Sequence, residues 1–307
     1  MRPLSLFVPL ALVASLAHAQ APSAPNPWTN VDAAIGRAGS LLPGGVVKYS
    51  FPRSDLTVVA GGVTLKPALA LGSWVAFMKL SKHESIAMGD LVLLEPEIGD
   101  VMRALQASGI EQTALHNHLL MEQPHVMYMH IMAHGDAVTI ATAIRAALAK
   151  SATPVGTPNA PATPSAADLD TAGIASALGF TGKLNGIVYQ VAVPRREKIT
   201  EMGHVIPPSM GLATAINFQP TGGGRAAITG DFVMRGSEVN KVIRALQAHG
   251  IQPSGLHSHL IDEEPHLYFM HFWANDDALS LARGLRAALD VMNVERPANP
   301  PGRVRRS

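Results

Sequence analysis

Eight of the thirteen histidines fall into two matched groups: His116, His118, His125 and His130, then His257, His259, His266 and His271. Both groups have the spacing His-x-His-x3-Glu-x-Pro-His-x4-His, with Glu122 in the first and Glu263 in the second. Neutral imidazole nitrogens and a carboxylate oxygen form the donor set of Zn, Mn, Fe, Ni and Cu sites. An open coordination position on such an ion acidifies a bound water toward neutrality. The candidate metal ligands are therefore His116, His118, Glu122 and His130, and His257, His259, Glu263 and His271. His125 and His266 are alternates. Met127, Met129, Met132 and Met270 could add soft sulfur for Cu(I), but a buried strand face is the better explanation of them.

The elements that must position these groups follow from periodicity. In a strand, residues two apart share a face, so His116 and His118 point together, as do His257 and His259. Thr113 to Leu120 and His125 to Met132 read as a hairpin turning around Met121 to Pro124. Pairing His118 with Tyr128 places His130 opposite His116, with Glu122 of the same parity. A slip of one residue brings His125 to that face instead, with Met127 and Met129. Both registers are open at this level. Val46 to Phe51, Leu56 to Val59, Ser73 to Lys79 and Ile86 to Leu94 read as strands. Asp100 to Ser108 reads as a short helix stopped at Gly109, and Asp136 caps a second helix running to about Ala149.

This unit is written twice. Residues 101–118, VMRALQASGIEQTALHNH, align without gaps with residues 242–259, VIRALQAHGIQPSGLHSH. Gly89-Asp90 matches Gly230-Asp231, and Arg145 to Leu148 matches Arg286 to Leu289. The expected organisation is a leader over 1–19, a first repeat over 28–150, a Pro/Ala/Thr linker over 151–167, a second repeat over 168–293 and a flexible tail over 294–307. Strands arrive in adjacent pairs. The fold class is therefore α+β: two tandem repeats, each an antiparallel sheet with two helices on one face, related by pseudo-two-fold symmetry.

The rest of the sequence narrows the function. The chain of 307 residues has 24 basic and 23 acidic side chains and a net charge of +1, which gives no pull toward nucleic acid. Cysteine is absent, which excludes disulfides, thiolate metal sites and a cysteine nucleophile. Residues 1–20, MRPLSLFVPLALVASLAHAQ, have the charged start, apolar run and Ala-His-Ala end of an export signal cleaved after Ala19, giving a periplasmic or secreted protein. No later stretch is long and apolar enough to span a membrane. Gly222-Gly223-Gly224 does not precede a helix, so it is no phosphate loop, and no Gly-x-Ser-x-Gly elbow exists. His83, His134, His204 and His249 have no counterpart in the other repeat. Trp74 and Trp273 read as core or pocket wall.

Several longer segments carry a resemblance. LGSWVAF (Leu71 to Phe77), GDLVLLE (Gly89 to Glu95), TALHNHLLMEQPHVMYMHIMAHGDAV and GLHSHLIDEEPHLYFMHFWANDDA resemble the LppY/LpqO family of exported bacterial proteins, which share the domain of unknown function DUF1259. That resemblance spans both repeats. It implies export without an assigned activity and supplies no catalytic residues. The name comes partly from lipoproteins, but this chain lacks the lipidated Cys, so anchoring is not implied. His116 to Glu122 and His257 to Glu263 are also similar to the first metal motif of cupins. Its Gly is misplaced here, and helices flank the hairpin where a jelly roll needs strands, so the likeness concerns ligands rather than fold. The sequence therefore leads to an exported protein binding a divalent transition metal. The alternatives are a metal-dependent hydrolase or lyase acting on a small molecule or glycan, and a metal-free module for a small ligand. Oligomeric state is open.

Overall fold

A computed structural model of the chain describes residues 26–156, 168–298 and 301. The expected leader with its cleavage point after Ala19, most of the linker and the end of the tail lie outside the described residues.

The first copy runs α1 (Thr29–Ile35), β1 (Ser40–Leu42), β2 (Val46–Pro52), β3 (Val59–Ala60), β4 (Val63–Thr64), β5 (Gly72–Lys79), β6 (Ser85–Leu94), α2 (Glu95–Ala107), β7 (Glu111–His116), β8 (Val126–Gly135) and α3 (Ala137–Leu148). The second runs α4 (Thr171–Leu178), β9 (Lys183–Asn185), β10 (Val188–Pro194), β11 (Ile199–Glu201), β12 (His204–Ile206), a 3₁₀ turn at Pro208–Met210, β13 (Ala213–Gly222), β14 (Arg225–Met234), α5 (Gly236–Gln247), β15 (Gln252–His257), β16 (Tyr268–Asp277) and α6 (Ala278–Asp290). Each copy builds one six-stranded antiparallel sheet, in the order β1-β2-β5-β6-β8-β7 and the equivalent β9-β10-β13-β14-β16-β15. The α+β tandem architecture is as expected.

One face of each sheet packs on its own helices. In the first copy Val47, Tyr49, Phe51, Val75 and Phe77 meet Ile140, Ile144 and Leu148, which recur at helical spacing along α3. Asp136 starts that helix by accepting a hydrogen bond from the Thr139 amide at 2.8 Å. The central strand β6 is buried on both faces and so reads as an almost continuous apolar run, interrupted at Asp90.

The other faces of the two sheets turn toward each other. Val46, Ala76, Met88 and Met132 of the first copy share a core with Ile199, Ile206, Val233 and Phe269 of the second. The segment after β2 crosses to the opposite sheet: the Gln219 side chain accepts from the Lys66 amide at 2.8 Å and donates to the Thr64 carbonyl at 2.9 Å. Two reciprocal bonds mark the pseudo-two-fold relation. The Thr113 hydroxyl donates to the His259 carbonyl, and the equivalent Ser254 hydroxyl donates to the His118 carbonyl. No helix among the described residues is long and apolar enough to cross a membrane.

Four details differ from the sequence reading. Each copy has three outer helices rather than two. The extra ones, α1 and α4, are under three turns long and bury only Val31 and Ile35, or Ile174, Ala175 and Leu178, too few positions to display a period. Helix α2 begins at Glu95 rather than Asp100, because Glu97 reaches back to accept from the Leu94 amide at 2.8 Å. Leu56 to Val59 is not a strand; only Val59–Ala60 pairs, with Val63–Thr64. The start of the expected linker and of the expected tail both pack: Thr153 and Val294 are buried, and Arg37 donates to the Pro154 carbonyl at 3.0 Å.

Candidate metal centre

The hairpin register places the histidines. His116 pairs with Tyr128 and Ala114 with His130, with a bulge between Gln112 and Ala114. This register lies two residues from the one that pairs His118 with Tyr128, so the parity is kept and His116 and His130 share the inner face. The second copy repeats it, pairing His257 with Phe269 and Gly255 with His271. His118 and His259 lie just past the strand ends. Each stacks on an aromatic side chain of its own copy: His118 on Tyr128 at 3.3 Å between ring centroids, His259 on Phe269 at 3.4 Å.

The six imidazoles do not form one cluster per copy, as the spacing alone suggested. They form a single cluster across the interface. The rings of His116 and His257 lie 3.5 Å apart. His118 lies 3.7 Å from His271, and the equivalent His259 lies 3.7 Å from His130. Three groups of ligand atoms come within 4.8 Å of one another: His116, His118 and His271; His116, His130 and His257; and Asp231, His257 and His259. They overlap at His116 and His257, so they outline one centre to which both copies contribute.

Hydrogen bonding fixes which nitrogen faces inward. Nδ1 of His116 donates to the Asn117 carbonyl at 3.2 Å, that of His257 to Ser258 at 3.1 Å, and that of His271 to Gly230 at 2.9 Å. A carbonyl only accepts, so the proton sits on Nδ1 and Nε2 presents a lone pair. Nε2 of His257 and Nε2 of His271 then face each other at 2.8 Å, two lone pairs with nothing to share. Among the described residues, the buried Nε2 atoms of His116, His118, His130 and His259 have no hydrogen-bond partner. Nε2 of His259 lies 3.0 Å from Asp231 Oδ2 without hydrogen-bond geometry. Buried polar atoms are normally satisfied, so this concentration of three inward lone pairs and further unpartnered ring nitrogens fits a cation.

Burial keeps the rings neutral. His130 and His271 are 4% and 1% exposed. Desolvation, reinforced by neighbouring imidazoles, pushes His116 down to about 3 and His271 to about 4, and holds His118, His130 and His259 well below the usual value. Desolvation, with the nearby Asp231 carboxylate, raises Asp90 to about 8.

Asp90 and Asp231 are site residues that the histidine spacing does not reveal. Each sits on its sheet's central strand, opposite His130 and His271 respectively. The available signal was an Asp inside an apolar run, kept in both copies after a Gly. That Gly has its own cause: a Cβ at Gly89 would strike the Trp74 carbonyl, and one at Gly230 the Ala215 carbonyl.

Glu122 and Glu263 lie outside the three ligand groups. Each is buried beneath the hairpin loop, where its Oε1 accepts from a backbone amide, Val126 at 3.3 Å or Leu267 at 2.7 Å. The alternates His125 and His266 are exposed and lie 3.7 Å and 3.2 Å from those carboxylates. Met129 and Met270 belong to the helix-side cores, opposite the histidines, and Met132 packs in the core shared with the second copy. His83 and His204 are exposed, and the His249 ring, just past α5, donates back to the Ala245 carbonyl of that helix.

Residues 29–150 and 172–291 match the family described as Domain of Unknown Function (DUF1259). The chain belongs to this family. The two matched stretches coincide with the two structural copies, so this protein carries two DUF1259 units in tandem. No curated protein matches it. Two solved structures are similar to it at 12% identity: a trimeric bacterial microcompartment shell protein, PduB, covering 86% of this chain and 97% of that one with a TM-score of 0.22, and EtuB from Clostridium kluyveri, covering 85% and 96% with a TM-score of 0.20. Likeness at that level carries no argument about this DUF1259 protein.

Proposed function

We propose that this DUF1259 protein binds a divalent transition metal at one centre held jointly by its two copies. The observation that carries this reading is the set of inward Nε2 lone pairs, above all the pair from His257 and His271 facing each other at 2.8 Å. His116, His118, His130, His257, His259 and His271 supply nitrogen, and Asp231 supplies oxygen, a donor set suited to Zn, Mn, Fe, Ni or Cu. The carbonyls of Asn117, Ser258 and Gly230 orient three of these rings. Tyr128 and Phe269 hold His118 and His259 by stacking. We place this function outside the cytoplasm on the leader-like sequence of residues 1–19.

A second reading, metal-dependent catalysis on a small molecule, is favoured by Lys48. Its ammonium group lies 3.9 Å above the Trp74 ring, near Asp90, and desolvation lowers it to about 8 despite that carboxylate. A bound ion would supply a Lewis acid and an acidified water there. Lys48 would offer an adjoining substrate a positive charge or a proton.

The test is elemental analysis of protein purified without chelators, with thermal melts in added Zn, Mn, Ni or Cu. Stoichiometric metal is expected. At one hundred times Kd an ion stabilises by about 2.7 kcal/mol, which is roughly 5–10 °C for a chain of this size. No metal and no shift would leave the cluster as a metal-free ligand site.

A further inference from the structure

A second group of unpartnered acceptors lies outside the histidine centre: among the described residues it is a glutamate pair in the second copy, where the first copy has Glu122 alone. Thr200 and Glu264 exchange both backbone hydrogen bonds, at 2.8 and 2.9 Å, in an isolated antiparallel bridge. The next pair along that bridge is Glu201 and Glu263. In antiparallel pairing the position beside a doubly bonded pair is the non-hydrogen-bonded one, where side chains share a face and approach most closely.

Both glutamates are buried, Glu201 at 0% exposure and Glu263 at 3%. Among the described residues neither oxygen of Glu201 has a hydrogen-bond partner, and Oε2 of Glu263 has none. No Lys or Arg among the described residues forms an ion pair with either; the exposed His266 lies 3.2 Å from Oε1 of Glu263 and leaves the other three oxygens free. Two further carboxylates stand close by: Asp262, on the same loop, and Glu111, on the edge strand β7 of the first copy. Both are exposed, and their negative charges act on Glu201. Burial together with these acidic neighbours raises Glu201 to about 7.

The first copy has the same bridge without the pair. Val59 and Gln123 exchange the same two bonds, at 2.8 and 2.9 Å, and Ala60 then faces Glu122. The fold therefore does not need a carboxylate at this position. Two buried carboxylates placed directly opposite each other are costly unless a cation or a shared proton intervenes. Three free carboxylate oxygens with acidic groups nearby match a hard divalent ion such as Ca²⁺, Mg²⁺ or Mn²⁺.

We propose that the buried pair Glu201 and Glu263 binds a hard divalent cation, Ca²⁺ by chemistry, at a site separate from the histidine centre, with the charges of the exposed Asp262 and Glu111 adding to its attraction. The ion joins the β11–β12 arm to the hairpin loop of the second copy. This assignment does not depend on whether the histidines bind metal.

The experiment is calorimetric titration of the full chain with CaCl₂, after removal of weakly held ions and without altering metal at the histidines. The wild type should bind one Ca²⁺ per chain and melt at a higher temperature with it. Glu201→Gln should weaken Ca²⁺ binding at least tenfold and leave transition-metal content unchanged. Glu201→Ala, which copies the arrangement already present at Ala60, provides a variant that folds. Failure of the wild type to bind Ca²⁺ or Mn²⁺, or equal binding by both variants, overturns the proposal. A gain in metal-free stability in Glu201→Gln, with no cation response in the wild type, identifies a shared proton instead.

Discussion

The two copies share a sheet order, a hairpin and every histidine of the centre, yet they present different surroundings to it. Lys48 and Trp74 pair with Ala76 and Asp90 in the first copy; the equivalent partners in the second, Asn217 and Asp231, pair with Gln190 and Ala215. Tyr128, under His118, becomes Phe269 under His259. Ala60 becomes Glu201. What both copies keep is what points into the shared interior: three histidines and one aspartate each. What has diverged lies around it. A duplicated fold whose halves close on one another yields a centre with two-fold ligands and unlike flanks, one carrying a cation and an indole, the other an amide and a methyl group. Even the cluster is uneven, since Nε2 of His118 stands 3.7 Å from Asp90 where Nε2 of His259 stands 3.0 Å from Asp231. Asp231, rather than Asp90, therefore joins a ligand group.

The sharpest way to break this comparison is to damage one copy alone. If each copy held its own ion, His257→Ala would remove half the metal. Because His257 belongs to two of the three overlapping groups and touches His116 across the interface, we expect it to remove nearly all of it. Loss of groups that merely orient a ligand costs 10–100-fold in metal affinity, so loss of the ligand itself should cost at least about 100-fold. Competition titration against a chelating dye, with elemental analysis, reads this directly. Retention of half the metal at full affinity would show two independent sites.

Acid provides the next largest effect. An exposed histidine site releases metal as pH falls through about 6.5, where free imidazole takes up a proton. In this cluster burial has lowered the folded pKa values, so protons compete only below them. His271 becomes protonated near 4 and His116 near 3, and Asp231, raised by its own burial, would be kept ionised by a bound ion. Metal should thus stay bound on acidification from pH 7.5 to about 5 and be released toward pH 4. Metal content after equilibration and gel filtration at each pH checks it. Release centred at 6.5 would mean that the rings are solvated and the interface is open.

These predictions concern features unequally visible in the sequence. The duplication, the hairpin and the Asp136 helix cap could be read because each is local: a repeated string, a two-residue alternation, a capping oxygen three residues before the amide it serves. The shared face of His116 and His130 followed from strand parity, and parity survived although the register moved by two residues at the bulge before Ala114. What could not be read was partnership across the copies. Periodicity says which way His118 points, but not that the ring lying over it belongs to His271. Asp90 was visible only as an oddity, a carboxylate within an apolar strand, and its meaning required the opposing sheet. Glu122 and Glu263 illustrate the reverse. Their spacing to the histidines suggested ligands, yet the turn after each strand carries them beneath the loop, where backbone amides occupy one oxygen.

The smallest effect tests the unlike flanks. Lys48→Gln gives the first copy the side chain found at the equivalent position of the second and removes the cation from the Trp74 face. A cation–π contact at a partly exposed site contributes about 0.5–1 kcal/mol, and the desolvation that lowers Lys48 to about 8 opposes it, so the free energy of unfolding should change by that amount or less. Metal content should not change, because Lys48 lies outside every ligand group. The informative quantity is the contrast between the two measurements. Divergence that only adjusts packing would move stability and nothing else. If Lys48→Gln instead lowered metal content, the cation would be part of how the centre holds its charge, and the copies would differ at the metal itself rather than in the approach to it.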